Sequence, residues 1–345
     1  MKTLFNTMCI IMVHKAAAAI ADTVIQSHIL EAFETWLVTY VPRVIDIHER
    51  EHMLFNWVDN DLYIQMHNAK EPLYTLGHNA FSGMNQTEFS NWIGKNKIFG
   101  ASKYYTDDQS SMQSDIILPL TVDWRDYGAV TPVKDQQQCG SCYAFSTTGA
   151  LEGGYHIYVN SENDVVSFSE QQILDCGDRR SGHGCNGGDM GGSFNWIIQN
   201  DGLCTENDYA YFSGETGKSG QCKSSECTIV QESAPKETIY VQPNSDQAMM
   251  EALVKQPVSV AIQANERDFQ LYSSGVLTGT CGDSLDHGVL LVGYGSTDSD
   301  DYYIMKNSWG TGWGESGYCR LGKGSTYNNG AGQCGVLSQG VYPQF

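Results

Sequence analysis

Proline is scarce in this chain, 8 residues of 345, and positive charge is short: 20 basic side chains stand against 40 acidic ones, a net charge of −20. That balance excludes nucleic acid and anionic membranes as main partners, because both repel an acidic surface. Long apolar runs are also missing. Beyond the leader no stretch reaches the roughly 18 apolar residues of a membrane helix, so the remainder is expected to be soluble. Cysteine is absent from Asp22 to Ile117, whereas ten of the eleven cysteines lie between Leu118 and Phe345. Such a shift marks a boundary. No internal repeat stands out, and no low-complexity tract beyond a run of alanines. At 41% hydrophobic and 17% charged residues the chain can bury a core, which excludes disorder. Its length fits two domains, or one domain with an accessory segment.

The chain begins as a secretory precursor. Lys2 supplies a positive start, Leu4 to Val13 an apolar run, and Ala19-Ile20-Ala21 a small-residue cleavage site, so residues 1–21 are expected to leave as a signal peptide. His14-Lys15 is an unusual polar break in that leader. The odd cysteine count then matters, since an unpaired thiol in a secreted protein is often there to react. Between residues 22 and 117 two helices are expected: Glu31, Phe33, Trp36, Leu37 and Tyr40 fall at helical spacing. Met53, Trp57 and Ile64 do the same, with Leu54 and Leu62 less cleanly in step. Gly100 to Asp115 is polar, as in a protease-accessible linker or an ordinary surface loop. From 118 to 345 the texture becomes a helix near Cys142 to Val159, then Gly/Asp/Cys-rich loops, then strands at Val258–Ile262, Gly288–Tyr294 and Tyr302–Met305.

Three short segments carry the chemistry. In Gln136-Gln137-Gln138-Cys139-Gly140-Ser141-Cys142 the paired cysteines lack the two further ligands of a zinc site and the context of a redox dithiol. Cys142 instead opens a helix, where unpaired backbone N–H groups and the helix dipole favour a thiolate nucleophile. Gln136 can donate to a developing oxyanion beside the Cys142 N–H. Of the three histidines beyond Leu118, His156 lies inside the helix and His183 in a Gly-rich loop. His287 opens a strand and is the candidate base, unless it is a satisfied core histidine. Asn307, in Lys306-Asn307-Ser308-Trp309-Gly310, can orient the imidazole under the cover of Trp309, or serve as a turn device.

Together with Val122-Asp123-Trp124-Arg125, Gly128 to Gln136 and Gly184-Cys185-Asn186-Gly187-Gly188, these segments resemble the papain-like cysteine peptidases over nearly the whole chain. The resemblance implies an α+β, two-lobed fold with a helical left lobe and a β-barrel-like right lobe at 118–345. It assigns Cys142 as nucleophile, His287 as base and acid, Asn307 as orienter and Gln136 as oxyanion donor. Residues 22–117 resemble the family's inhibitory prosegment of cathepsin-L-like length, matched at Glu49, Asn60, Ile64, Asn68, Gly77, Asn79 and Phe81. Met53 stands where arginine is usual and Trp57 where phenylalanine is usual, and the lost arginine implies a looser inhibitor. No metal or cofactor is needed. The implied partners are peptide and protein substrates, the chain's own prosegment and cystatin-like inhibitors, and a monomer is expected.

The same alignment pairs substrate backbone with Gly188 and lines a pocket with Asp189 at its rim, Met190, Ala261 and Leu285, and Gln339 at its end. That mixture implies apolar preference with room for polar or basic side chains. It pairs Cys139 with Cys185, Cys176 with Cys222, and Cys281 with Cys334. Cys204 and Cys227, outside that set, are assigned a fourth bridge, Cys319 a buried inert thiol, and Cys9 leaves with the leader. Neither an occluding loop nor a mini-chain is present, which argues for endopeptidase action. Tyr143 replaces the usual tryptophan and Gln137 the usual glycine, which leaves a catalytically weakened, peptide-binding or inert secreted paralogue as the alternative. Residues 118–345 carry 27 acidic and 12 basic side chains. That acidity suits a lysosome or acidic vacuole, and solubility outside the cell equally well.

Overall fold

The computed structural model describes residues 27–41, 43–70, 72–94, 98 and 118–345. The expected signal peptide and the polar stretch from Gly100 to Asp115 lie outside these residues.

Helix α1 runs through residues 27–40 and α2 through Ile47–Asn68, whose first turn is capped by Asp46 accepting from the Glu49 N–H at 2.9 Å. They pack through Phe33, Trp36 and Trp57, the residues that the helical spacing places on one face. Leu62 lies outside that face and is 56% exposed. The Met53 side chain joins the same cluster, next to Gly83, where an added Cβ would sit 3.4 Å from Met53 Cγ. The polar ties at this position come instead from Asn56 and His52, both bonded to Glu88. After β1 (Tyr74–Leu76), helix α3 (Gln86–Ile93) starts with a capping box between Asn85 and Glu88.

The helices α4 (Cys142–Tyr158), α5 (Glu170–Cys176), α6 (Met190–Gln199) and α7 (Ser213–Thr216) follow the short strand β2 (Val122–Asp123). Helix α4 is buried from Cys142 through Tyr155, so it is enclosed on every side, and its polar Ser146, Thr148 and Glu152 find hydrogen-bond partners inside. Beyond residue 236 the chain is mainly strand: β3 (Glu237–Val241), β4 (Val258–Ile262), β5 (Tyr272–Leu277), β6 (His287–Ser296), β7 (Asp301–Lys306), β8 (Tyr318–Gly322) and β9 (Gly340–Gln344). Short helices α8 (Asp246–Leu253) and α9 (Arg267–Gln270) interrupt it. Among the described residues the strands form one open sheet in the order β1-β5-β8-β7-β6-β4-β9-β3, with β2 paired to β6. Only β5 and β8 are parallel neighbours in it. Strand β4 is buried at every position, which is why Val258-Ser259-Val260-Ala261-Ile262 shows no alternation.

The helical and stranded parts meet where α4 lies on β6. Gly149 allows the approach, since a Cβ there would fall 2.8 Å from Leu290 Cδ2. Ser146 Oγ donates to the Val289 carbonyl at 2.7 Å, and Ser259 Oγ donates to the Ser146 carbonyl at 2.7 Å. The two catalytic candidates at the starts of α4 and β6 are thereby held on elements locked to each other. Disulfides join Cys139 to Cys185, Cys176 to Cys222, Cys204 to Cys227 and Cys281 to Cys334. Cys142 and Cys319 are the free thiols among the described residues, both buried.

Candidate active site

Cys142 is the first residue of α4 and has no exposed surface. Its Sγ accepts from the Gly288 backbone N–H at 3.2 Å, one residue after His287. Strand β6 places that donor: Ala261 faces Gly288 and Ile262 faces His287 across the ladder, so His287 sits where the strand begins. His287 Nε2 lies 2.8 Å from Asn307 Oδ1, and the Ser308 N–H donates to the same oxygen, also at 2.8 Å. An oxygen that already accepts from a backbone N–H can only accept again, so His287 carries its proton on Nε2. Nδ1 is therefore the basic nitrogen of the neutral ring, and it has no hydrogen-bond partner among the described residues. Trp309 stacks on the imidazole with centroids 4.8 Å apart and covers the bond to Asn307.

Gln136 is fixed at both ends of its amide. Oε1 accepts from Ser308 Oγ at 2.8 Å, while Nε2 donates to the Cys139 carbonyl at 3.0 Å. Tyr211 braces the loop from behind, donating to the Gln136 carbonyl at 2.8 Å with its hydroxyl 2.8 Å from Ser141 Oγ. Neither Ser308 nor Tyr211 was singled out from the sequence. Gln137 has φ of +52°, the left-handed region where a side chain costs about 1 kcal/mol relative to glycine. The usual glycine thus has a conformational reason here. Tyr143 finds its hydroxyl partner in the Gly184 carbonyl at 3.2 Å, and its ring lies where a Cβ on Gly188 would fall.

Met190, Ala261 and Leu285 belong to one apolar cluster, the first two with no exposed surface. Asp189 is buried rather than at a rim: it caps α6 by accepting from the Gly191 and Gly192 N–H groups. Gln339 Nε2 donates to the same carboxylate at 3.4 Å. A helix cap is invisible in a pocket alignment, although Asp followed by Met-Gly-Gly is a readable N-terminus. Gly188 pairs with Ile98 in a parallel bridge, so the backbone assigned to substrate is occupied by the segment that precedes residue 118. His183 is exposed in its loop, and His156 lies in the last turn of α4.

Described residues between Asp59 and Trp92 also cover the site. Phe81, Phe89 and Trp92 pack on Trp309, with centroids 4.9, 5.9 and 5.5 Å from it. On α9, Arg267 reaches Asp59 and Asn60, and Asp268 accepts from the Tyr63 and Tyr74 hydroxyls. Asn79 donates to the Gln270 carbonyl at 2.8 Å, and Gln270 donates to the Phe81 carbonyl at 2.9 Å. Under this cover, burial pushes the Cys142 thiol up to about 12 and His287 down to about 4. At neutral pH both groups are therefore neutral. The backbone N–H groups of Gly288, Tyr143 and Cys142 oppose the first shift and favour the thiolate.

Three other carboxyls, one buried and two partly buried, titrate high. Burial pushes Asp189 up to about 6 and Asp286 to about 7, and burial with the facing Glu170 carboxylate pushes Glu206 to about 8. The folded chain holds protons on them that the unfolded chain releases near pH 4, so their contribution to stability is full below that and declines as pH rises toward 8. His287 works in the opposite sense, but only below its ordinary value of 6.5. From pH 6.5 to 8 the carboxyls dominate, opposed only near the top of that interval by Lys306, which burial pushes down to about 8. The melting temperature of a Cys142→Ser precursor is expected to fall by a few degrees across that interval. A flat or rising profile in calorimetry contradicts this.

No group of three or more candidate metal ligands occurs among the described residues, and no helix among them is long and apolar enough to cross a membrane. The profile of the papain family cysteine proteases matches residues 118–344. A probable cysteine protease of Arabidopsis thaliana, RD21B, is 39% identical over 322 residues, covering 92% of this chain and 67% of that one. Among solved structures, a recombinant stem bromelain precursor superposes with a TM-score of 0.78 at 35% identity, over 92% of this chain and 99% of its own. Digestive procathepsin L 3 of Tenebrio molitor larval midgut does so with a TM-score of 0.78 at 33% identity, over 92% and 99%.

Proposed function

Since the chain belongs to the papain family of cysteine proteases, we propose that it is an endopeptidase made as an autoinhibited precursor, with Cys142, His287 and Asn307 as its triad. The observation that carries this reading is the pairing of His287 Nε2 with Asn307 Oδ1, which leaves Nδ1 as the base on a strand whose next N–H binds the Cys142 sulfur.

In the precursor, thiol and imidazole are neutral because both are buried. Loss of the aromatic cover and of Ile98 admits water, and the proton passes from Cys142 to His287 Nδ1 to form the ion pair. The thiolate sulfur then bonds to the substrate carbonyl carbon, and the oxyanion is stabilised by the Cys142 N–H and the Gln136 amide. The imidazolium proton goes to the leaving amine as the C–N bond breaks. Water, deprotonated by the same nitrogen, hydrolyses the thioester and restores the thiol. Gly188 takes the substrate backbone, and Met190, Ala261 and Leu285 favour apolar side chains. Gln339 Nε2 donates to Asp189 at the buried side and leaves Gln339 Oε1 as an unpartnered acceptor among the described residues, which a basic side chain could meet. The raised carboxyls suit an acidic vacuole or lysosome, reached through the secretory pathway.

Acid processing of the recombinant precursor tests the whole reading. N-terminal sequencing is expected to find a start near Leu118, with activity appearing in parallel and an epoxide thiol reagent labelling Cys142. Absence of labelling after processing sinks the peptidase reading in favour of the weakened paralogue.

A further inference from the structure

Of all the asparagines in the chain, Asn85 alone is followed two positions later by serine or threonine, in Asn85-Gln86-Thr87 at the start of α3. Given entry into the secretory pathway, on which this step depends, we propose that Asn85 Nδ2 carries an N-linked oligosaccharide in the precursor and that the sugar leaves with the prosegment.

The helix explains the asparagine but not the threonine. Asn85 is the N-cap of α3: its Oδ1 accepts from the Glu88 N–H at 3.0 Å, and Glu88 Oε2 accepts from the Asn85 N–H at 2.9 Å. Serine, threonine or aspartate would fill that role about as well. Thr87 is exposed, and its hydroxyl has no hydrogen-bond partner among the described residues. Nothing in the packing of α3 calls for a hydroxyl at that position. N-linked transfer does, because its acceptor is an asparagine with a hydroxyl two residues on.

The cap also leaves the right atom available. Glu88 engages Oδ1 and the backbone N–H of Asn85, whereas Nδ2 donates to no described residue, and the half-buried side chain keeps surface for an attachment. A glycosylated asparagine retains its Oδ1, so sugar and cap are compatible. Glu88 is in turn tied to His52 and Asn56 on α2, and Gln86 Nε2 donates to the Asn265 carbonyl. The start of α3 is thus fixed by contacts that do not use the Asn85 amide nitrogen. In the transfer, Nδ2 bonds to the anomeric carbon of a lipid-linked oligosaccharide as that carbon's bond to the lipid pyrophosphate breaks. The amide nitrogen gives up one proton, and the lipid pyrophosphate is the leaving group. Residues 118–345 hold no asparagine in this pattern, so the released enzyme is bare of N-linked sugar.

The test is the mass of the full chain secreted from cultured mammalian cells, once with its own leader and once with a leader known to direct secretion. Peptide N-glycosidase is expected to lower that mass and to leave aspartate at position 85, the product of sugar removal from an asparagine. Thr87→Ala is expected to abolish the fall and Thr87→Ser to retain it. Thr87 makes no hydrogen bond among the described residues, so both variants are expected to fold and stay latent. The enzyme obtained by acid processing is expected to keep its mass under the same treatment. A precursor whose mass does not move with either leader overturns the site, as does sugar that survives in Thr87→Ala. Epoxide labelling of Cys142 on the same sample after processing separates the two failures: a sugar-free precursor that yields a labelled enzyme loses the site and keeps the peptidase.

Discussion

Replacing Cys142 by serine is expected to lower kcat/KM for a peptide substrate by about 10⁴-fold or more, with KM little changed. The substitution keeps volume and position at the start of α4, so the loss reports nucleophilicity rather than packing. A hydroxyl cannot be ionised by a neutral imidazole as a thiol can, and the helix-end N–H groups that favour a thiolate at Cys142 have no anion to act on. Asn307→Ala leaves the sulfur in place and removes only the acceptor that fixes the proton on His287 Nε2. Without it the ring is free to take the other tautomer, so kcat is expected to fall by about 10²-fold while epoxide labelling of Cys142 slows without disappearing. A Cys142→Ser enzyme keeping more than about one per cent of activity would contradict the assignment.

The second large effect belongs to the cover. Phe81 is buried between Phe89, Trp92 and Trp309, with centroids 5.4, 4.8 and 4.9 Å away. Truncating a phenylalanine packed this way costs about 3–5 kcal/mol. Part of that falls on the contact with Trp309, the ring that shields His287, and the carbonyl that receives Gln270 is Phe81's own. The uncut Phe81→Ala precursor is accordingly expected to show about 10²-fold more activity on a small peptide substrate at neutral pH than the unsubstituted precursor. Phe55, 74% exposed on the outer side of α2, supplies the control: Phe55→Ala should keep latency intact. Equal latency in the two variants would mean that the aromatic cluster does not hold the site shut.

Periodicity and end signals made much of this fold readable. Strand β4 begins and ends where its β-branched run does, and α4 starts at the residue whose thiol needs a helix end. His287 and Asn307 were readable because each sits next to a strand, where rigid placement is expected. The contacts that hold the site were not. Ser308 binding Gln136, Tyr211 binding the Gln136 carbonyl, and Lys134 between Glu152 and Glu170 each join residues from 18 to 172 positions apart, and no local pattern records such a partnership. Asp189 shows the converse failure. Its position in an alignment suggested a pocket rim, whereas the orphan N–H groups of Gly191 and Gly192 bind it into the start of α6.

Strand β1 gives the precursor something that the enzyme must later do without. Tyr74 pairs with Gly275, Thr75 with Ser274 and, past an irregularity, Leu76 with Tyr272, so β1 closes one side of the sheet. Once the prosegment leaves, β5 becomes a raw border with unmatched backbone groups, the kind on which chains stack into aggregates. Gly275 limits that hazard. Its φ of +94° bends the border, and a side chain there would strike the Leu73 carbonyl at 2.4 Å, so only a short, irregular strand fits alongside. On the proposed activation, the glycine that admits β1 would leave the uncovered border of β5 bent, a poor template for another flat strand.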